Sequence, residues 1–363
     1  MKKSLKSLIA VSAAVMTSGA FASNMENPLY MPKAHEVYLK TGAAVMYKIT
    51  DHTHALEVKG ADGKEEFPVW RFTGDLGYGI TDRLALISRF GYTHDDDIDR
   101  KGMHRGRVGA MYRLLEQQSA PLVLDLYSEM FLSGVSPMKG TLKQIGSEFS
   151  FDFDNYSNGR YGIIVGTRFG KTWDKFTLAA HVEYLQTFGN HNNEIALDPA
   201  IRINSISMKQ FGFPDELSVN LKGTHETCFG FDTNYQFNNK WSFGAGFEYY
   251  EHSDNGVKSI HSKLKDPVEL ANMLKLVYSL TDEQAMAMAK DNRNKVAKEL
   301  VKKTKNMEDG WDEYVLKANV GYQISDASQL VFFAEYTLDD SHRGSQNGTD
   351  VKAEAGFRFN ALF

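Results

Sequence analysis

The sequence predicts an all-β protein: a transmembrane antiparallel β-barrel of about 12 strands, with a helical hairpin inserted in an external loop. Three observations predict it. Apolar and polar residues alternate along twelve separate runs. The links between successive runs alternate between short and long, and aromatic residues lie on the apolar face beside the short links. A soluble β-sandwich would explain the alternation, but neither the sorted links nor the one-sided aromatic band.

Residues 1–22 have the layout of a secretory signal peptide. Three lysines precede a short apolar run, and small residues follow up to Ala22. The run is shorter than the roughly 20 residues that a membrane-spanning helix needs, which argues against an N-terminal anchor. We therefore expect cleavage before Ser23, a periplasmic N-terminal segment over 23–35, and the barrel over 36–363. The stretch ENPLYMPKA (26–34) looks like a motif, but the sequence suggests no mechanism for it.

Each predicted strand has about 9 to 14 residues, enough for a tilted strand to cross a bilayer. The last one shows the pattern most clearly, because apolar residues occupy its odd-numbered positions and polar or small residues its even-numbered positions. The twelve runs are 36–48, 68–80, 84–93, 103–114, 122–133, 160–170, 176–188, 224–237, 241–250, 312–324, 330–338 and 351–363.

The links predict the orientation. Every second link is short, whereas the third, fourth and fifth long links reach about 26, 35 and 61 residues. Bacterial barrels have short periplasmic turns and longer external loops, so both termini are expected in the periplasm. The expected aromatic girdle beside the short turns consists of Tyr78, Tyr112, Phe169, Phe176, Phe237, Trp241, Tyr322 and Phe363.

The ending FRFNALF (357–363) resembles the C-terminal signal of Gram-negative outer-membrane β-barrel proteins. It has a terminal Phe and apolar residues at every second position before it. The resemblance implies an outer-membrane location and implies that Phe357, Phe359 and Phe363 are read by the barrel-assembly machinery. It indicates a porin-like barrel without identifying a subfamily.

The water-facing positions predict a charged lumen, with the two signs grouped on different strands. Such grouping would set up a transverse field across a narrow passage of about 12 Å, selecting small polar solutes. Alternatively, the charges pair into salt bridges that fill the lumen. The basic candidates are Lys40, Arg71, Arg89, Arg107, Arg113 and Arg168. The acidic candidates are Asp125, Glu129, Glu183, Asp232, Glu248 and Glu335. Glycines on this face make room for solute or permit the strands to coil.

Residues 262–308 form an insertion in which the apolar period changes from 2 to 3.6. The pattern predicts a helical hairpin over about 266–305 with a capping box at Thr281–Gln284. We expect Val268, Ala271, Leu274 and Val277 of its first helix to face its second helix, which is basic. The hairpin is a lid over the mouth, a surface for lipopolysaccharide phosphates, or a solvated subdomain.

Composition narrows the function. A net charge of −5 gives no indication of a nucleic-acid partner, and the single Cys228 excludes an intrachain disulfide and a cysteine-based metal cluster. The expected function is passive diffusion of small hydrophilic solutes, without cofactor, metal or catalytic residues. The expected partners are outer-membrane lipid, lipopolysaccharide, the barrel-assembly machinery and small polar solutes. The alternatives are a structural or surface-interaction barrel without an open pore, or a lipid-directed hydrolase.

Overall fold

The computed structural model describes residues 24–49, 69–95, 100–132, 139–145, 148–153, 160–189, 193–254, 256–260, 262–304, 310–338 and 350–363. The predicted signal peptide over 1–22 lies outside the described residues.

The described residues form nineteen strands and two helices. In chain order they are β1 (Val37–Ile49), β2 (Val69–Thr81), β3 (Leu84–Asp95), β4 (Arg100–Leu115), β5 (Val123–Leu132), β6 (Lys139–Ile145), β7 (Glu148–Phe153), β8 (Arg160–Trp173), β9 (Phe176–Gly189), β10 (Asn193–Leu197), β11 (Arg202–Ile203), β12 (Ile206–Ser207), β13 (Glu216–Leu221), β14 (His225–Gln236), β15 (Trp241–His252), β16 (Val257–Ile260), α1 (Val268–Tyr278), α2 (Asp282–Thr304), β17 (Trp311–Ser325), β18 (Ser328–Thr337) and β19 (Asp350–Leu362).

Twelve of these strands close into one antiparallel barrel, in the order β1-β19-β18-β17-β15-β14-β9-β8-β5-β4-β3-β2. The barrel closes because β1 pairs on both sides: Leu39 lies opposite Ala361 of β19 and Leu76 of β2. Each of the twelve predicted runs coincides with a barrel strand to within a few residues, so the predicted fold class is confirmed.

The outer face of the barrel is apolar and its aromatic side chains are exposed. Near the short turns the exposed rings include Tyr112, Phe176 and Phe237, and the Trp241 ring packs against the Tyr322 ring with centroids 4.7 Å apart. Exposed apolar side chains on a barrel wall are what a hydrocarbon environment favours. The alternating pattern therefore separates a lipid-facing surface from a polar interior.

The long loops between the barrel strands fold together into a small domain outside the barrel wall, here called the external domain, which the sequence did not predict. Five short strands from three different loops form one sheet in the order β16-β13-β10-β6-β7. Its core includes Ile195, Phe213, Leu217 and Val219, all of them buried. The sequence predicted no strands in these loops, because strands of four to seven residues stabilised by pairing between separate loops leave little periodic signal.

The two helices complete this domain and confirm the predicted hairpin. The Thr281 hydroxyl accepts a hydrogen bond from the Gln284 amide, and the Gln284 side chain accepts one from the Thr281 amide, which is the predicted capping box. Leu270 and Leu300 are buried in the shared core. No helix in the described ranges is both long and apolar enough to cross a membrane.

One prediction about the hairpin was partly wrong. Ala271 is buried as expected, but Val268 and Val277 are 52% and 70% exposed. Leu270 is instead buried in the core that the helices share with the sheet. The buried face of α1 is therefore rotated from the one predicted.

Candidate functional site

The site lies inside the barrel, where inward-facing side chains of opposite charge meet. On one side, Asp125 is fully buried between two arginines: its carboxylate lies 2.8 Å from Arg113 Nε and 2.5 Å from Arg168 Nη2. A buried carboxylate held by two guanidinium groups is a strong charge-assisted contact. This cluster joins β4, β5 and β8.

Three more of the predicted basic residues contact carboxylates on strands that are one or two strands further round the barrel than their direct neighbours. Arg107 Nη1 lies 2.7 Å from Glu183 Oε1. Arg71 Nη1 lies 2.6 Å from Glu354 Oε2. Arg89 is less closely paired: its Nη2 atom lies 3.9 Å from Glu129 Oε1, and its side chain is 46% exposed in the lumen.

The acidic side of the lumen also has its own cation. Lys317 Nζ lies 2.7 Å from Glu248 Oε1 and 2.9 Å from Asp232 Oδ1. Glu335 lines the same cavity. The expected separation into a basic and an acidic side is therefore largely cancelled by local pairing, as in the alternative that the sequence left open. A lumen-wide transverse field does not follow from this arrangement.

The N-terminal segment 24–36 enters the lumen. The sequence placed residues 23–35 ahead of the barrel as a separate segment, but the Glu26 carboxylate lies 2.6 Å from Arg358 Nη2 on β19 and 3.6 Å from Lys40 Nζ on β1. Asn360 donates a further hydrogen bond of 2.8 Å to it. We call residues 24–36 the plug segment.

Arg358 and Lys40 stabilise the ionised form of Glu26. Burial by itself raises the pKa of Glu26, but the positive charges of Arg358 and Lys40 outweigh it and lower the pKa to about 2. Glu26 therefore remains ionised while it stays in the lumen, and this ion pair anchors one end of the plug segment.

Backbone carbonyls anchor the rest of the plug segment. Lys40 Nζ donates to the carbonyl of Met25 at 2.7 Å. On the far wall, Arg113 donates to the carbonyl of Leu29 at 2.7 Å, and Arg168 donates to the carbonyl of Tyr30 at 3.1 Å. The predicted lumen cations thus also serve to hold the segment that precedes the barrel.

Apolar side chains of the plug segment fill three separate pockets on the inner wall. Met25, Leu29 and Met31 are all buried. Met25 packs with Tyr38 and Leu362; Leu29 packs with Val123 and Ala179; Met31 packs with Ala85, Ile87 and Met111. Apolar burial in three pockets stabilises the seated position of the segment.

The plug segment spans the lumen from wall to wall. Met25 packs against β1, and Leu29 packs against Ala179 of β9, which lies six strands away on the opposite side of the closed barrel. Likewise Glu26 contacts β19 and the Tyr30 carbonyl contacts β8, another opposite pair. The segment ends, and joins β1, at the short-turn end of the barrel, where the backbone of His35 bonds to Gly79 and that of Val37 bonds to Phe363.

A cavity of about 480 Å³ adjoins the plug segment. Glu26, Asn27 and Tyr30 form part of its wall, and Arg89, Glu335 and Lys317 are among the strand residues that line it. A volume of this size suits a small molecule, and the lining offers both signs of charge.

Two of the inward-facing glycines, Gly77 and Gly166, make room for an aromatic ring rather than for solute. A Cβ at Gly77 would lie 2.0 Å from the Tyr38 ring, and one at Gly166 would lie 2.3 Å from the Tyr127 ring. The space beside these two glycines is filled by neighbouring aromatic rings, whereas Gly91 and Gly246 line the cavity.

Comparison with solved structures identifies the architecture. The COG4313 outer membrane channel from Pseudomonas putida F1 aligns over 96% of this chain and 99% of its own, at 11% identity and a TM-score of 0.50. The chain has the fold of Gram-negative outer-membrane β-barrels. At this identity the likeness extends to the fold alone. The transport unit of the autotransporter AIDA-I from Escherichia coli aligns over 99% of this chain and 98% of its own, at 10% identity and a TM-score of 0.38. No family model matches the sequence, and no curated protein does.

Two lumenal cations of this barrel are missing from the candidates that the sequence supplied. Lys317 and Arg358 both lie at water-facing positions of their alternating strands, so the pattern contained the signal for them. The plug segment is different, because its buried residues Met25, Leu29 and Met31 follow no helical or strand period. Their spacing is set by the pockets on the barrel wall.

Proposed function

We propose that this protein is an outer-membrane channel for small hydrophilic solutes that carry both charges, and that the plug segment closes it in the state described. The observation that carries the proposal is the lumen-spanning position of residues 24–36, anchored on opposite walls and bordered by a cavity lined with both signs of charge. Opening requires the plug segment to leave its pockets. In this proposal the short-turn end of the barrel faces the periplasm, so both termini lie on that side.

The anchoring contacts suit a segment that is released rather than a permanent part of the wall. Residues 24–34 of the plug segment lie in no β-strand, and their polar contacts include ion pairs and hydrogen bonds to backbone carbonyls, which water can replace. A displaced plug segment would leave the strands intact, because the barrel closes through β1 and β19 independently of it.

Planar-bilayer recording of the purified protein tests the proposal. We expect the wild-type protein to show infrequent conductance steps, and the Glu26→Gln variant to show a higher open fraction because its ion pairs with Arg358 and Lys40 are gone. Glu116→Gln is the matched control: it removes a carboxylate from the same end, where Glu116 pairs with exposed Arg83 rather than with the plug segment. If both the wild-type protein and Glu26→Gln are folded but never conduct, the channel proposal is wrong.

Ion selectivity provides a second measurement on the open channel. Arg89 lines the cavity, and its side chain is the most exposed among the predicted lumen arginines. Replacing it with Ala removes positive charge from the passage, so we expect the reversal potential in a salt gradient to shift toward cation preference. Arg83→Ala, at an exposed turn, should leave selectivity unchanged. Equal selectivity in wild type and Arg89→Ala would show that ions do not pass this side chain.

A second candidate function is surface interaction without conduction. The external domain favours it, since a buried core shared by three loops is more structure than a pore needs. Its basic helix α2 would then contact lipopolysaccharide phosphates. A barrel that never conducts, in the wild type or in Glu26→Gln, is the outcome that selects this candidate.

A further inference from the structure

Three side chains of different chemistry converge on the lumen wall where β9, β14 and β15 run side by side. His181 and Glu248 both lie opposite Gly230, one on each neighbouring strand, and Cys228 lies two residues from Gly230 on the same face. The strand register itself therefore places an imidazole, a carboxylate and a thiol around one point.

The distances between these groups are those of ligands around one metal ion. His181 Nε2 lies 3.5 Å from Glu248 Oε1 and 3.7 Å from Cys228 Sγ, and the three ligand atoms all lie within 4.8 Å of one another. Ligands bonded at about 2.0 to 2.3 Å to a tetrahedral zinc ion are separated from one another by about 3.3 to 3.6 Å. Small side-chain movements are enough to bring the three atoms to bonding distance.

The glycine between them makes this approach possible. A Cβ at Gly230 would lie 2.5 Å from His181 Cε1 and 2.9 Å from Glu248 Cγ, so any side chain there would push both groups away. Gly246 has the same role for Asp232, whose Oδ1 atom would lie 2.3 Å from an added Cβ. Two adjacent strands thus leave room for the cluster.

The surroundings supply an outer carboxylate for the histidine. His181 Nδ1 lies 3.6 Å from Asp232 Oδ2, on the side of the ring away from Glu248. A carboxylate that accepts the distal N–H of a metal-bound imidazole orients the ring and strengthens its bond to the metal. Glu248 is also held in place, because Tyr250 donates a hydrogen bond of 2.8 Å to its other oxygen.

Lys317 is the group with which a metal ion would compete. Its ammonium group contacts both Glu248 and Asp232, and so it balances their charge in the present arrangement. A divalent ion bound to Glu248 would replace that contact, while Lys317 keeps its contact with Asp232. Binding would also release the Cys228 thiol proton, since the thiolate is the ligand.

We propose that His181, Cys228 and Glu248 form a lumenal binding site for a zinc-class divalent metal ion, with its fourth position open to the cavity. Nitrogen, sulfur and oxygen ligands together suit zinc, whereas magnesium and calcium avoid thiolate. The site does not depend on whether the barrel conducts, because it is formed by side chains of the wall.

Cobalt titration of the full-length folded protein in detergent tests this site. We expect Co²⁺ to produce a thiolate-to-cobalt charge-transfer band in the near ultraviolet and visible bands typical of tetrahedral coordination. Zn²⁺ should abolish them and excess Mg²⁺ should not. Since Cys228 is the single cysteine of the chain, a thiolate band can arise only there. Saturating Co²⁺ without a thiolate band in the wild-type protein would overturn the proposal.

Variants separate this site from adventitious binding. Cys228→Ser should lose the charge-transfer band, and Gly230→Ala should weaken Co²⁺ binding without removing a ligand. Asp232→Asn should weaken it about 10-fold through the lost outer contact. His225→Ala is the control, because this exposed histidine stacks on Tyr184 outside the cluster. Heat-modifiable mobility on gels confirms that each variant is folded. Equal Co²⁺ affinity in the wild type and Gly230→Ala would contradict the proposed geometry.

Discussion

At the residue scale, the behaviour of this barrel depends on a few carboxylates that are buried beside cations. Glu26 anchors the plug segment, and its carboxylate is nearly inaccessible to solvent, with 4% exposure. Asp125 is fully buried between two arginines. Such groups stabilise the structure only while their partners are present, because an unpaired buried charge is strongly unfavourable.

The pKa of Glu26 predicts how closure depends on pH. The pKa is about 2 with the plug segment seated and 4.5 without its partners, so the seated state is favoured at pH values above 4.5. Ionised Glu26 contributes on the order of 3 kcal/mol to the free energy that keeps the plug segment seated, and this contribution is lost as the pH falls from 4.5 toward 2. We expect the open fraction in bilayer recordings to rise across this range.

The Glu26→Gln variant isolates that effect from the titration of other carboxylates. Its open fraction should be high throughout and should lack the Glu26-dependent rise between pH 4.5 and 2. An identical pH profile in the wild-type protein and Glu26→Gln would show that Glu26 does not control closure.

Replacing Asp125 should destabilise the barrel itself. Asp125→Asn leaves Arg113 and Arg168 without their shared carboxylate, so we expect the free energy of unfolding in lipid vesicles to fall by about 3 to 5 kcal/mol. Asp326→Asn, in the exposed turn between β17 and β18, is the matched control and should change it by less than about 0.5 kcal/mol. Similar urea midpoints for the two variants would contradict the importance of the Asp125 cluster.

At the element scale, the barrel strands could be predicted and the external domain could not. Barrel strands are long and have one face in lipid, so each carries its own alternating signal. Strands such as β6 and β10 are stabilised by parallel pairing between loops that are more than 40 residues apart in sequence, for example Glu194 with Lys139. The helical hairpin was predictable because its capping box and 3.6-residue period are local.

The core of the external domain can be tested separately from the barrel. Leu300 of α2 is 2% exposed, so Leu300→Ala should destabilise this domain by about 2 to 5 kcal/mol and accelerate its proteolysis. Val277→Ala on α1 should have little effect, because Val277 is 70% exposed. The barrel should remain heat-modifiable in both variants. Equal proteolysis of the two would show that Leu300 is not part of a folded core.

At the scale of the whole molecule, the alternating pattern predicted where the wall lies and what it separates, but not how the lumen is filled. Inward-facing charges were recognisable as a set, whereas their pairing depends on which strands become neighbours. The position of Lys317 between Glu248 and Asp232 illustrates this, as does the use of Arg113 and Arg168 to hold carbonyls of the plug segment. The sequence contained these residues without indicating their partners.

A reversible disulfide lock tests whether residues 24–36 close a channel. Asn24 donates a hydrogen bond of 2.6 Å to Asn234 on β14, so these two positions can be replaced by cysteines in a Cys228→Ser background. Oxidation would tie the start of the plug segment to the wall, while β1 already holds its end. We predict that bilayer conductance is suppressed in the oxidised protein and restored by a reductant, with the Cys228→Ser background unaffected by either treatment. Equal conductance in the oxidised and reduced states, with the disulfide confirmed, would contradict the claim.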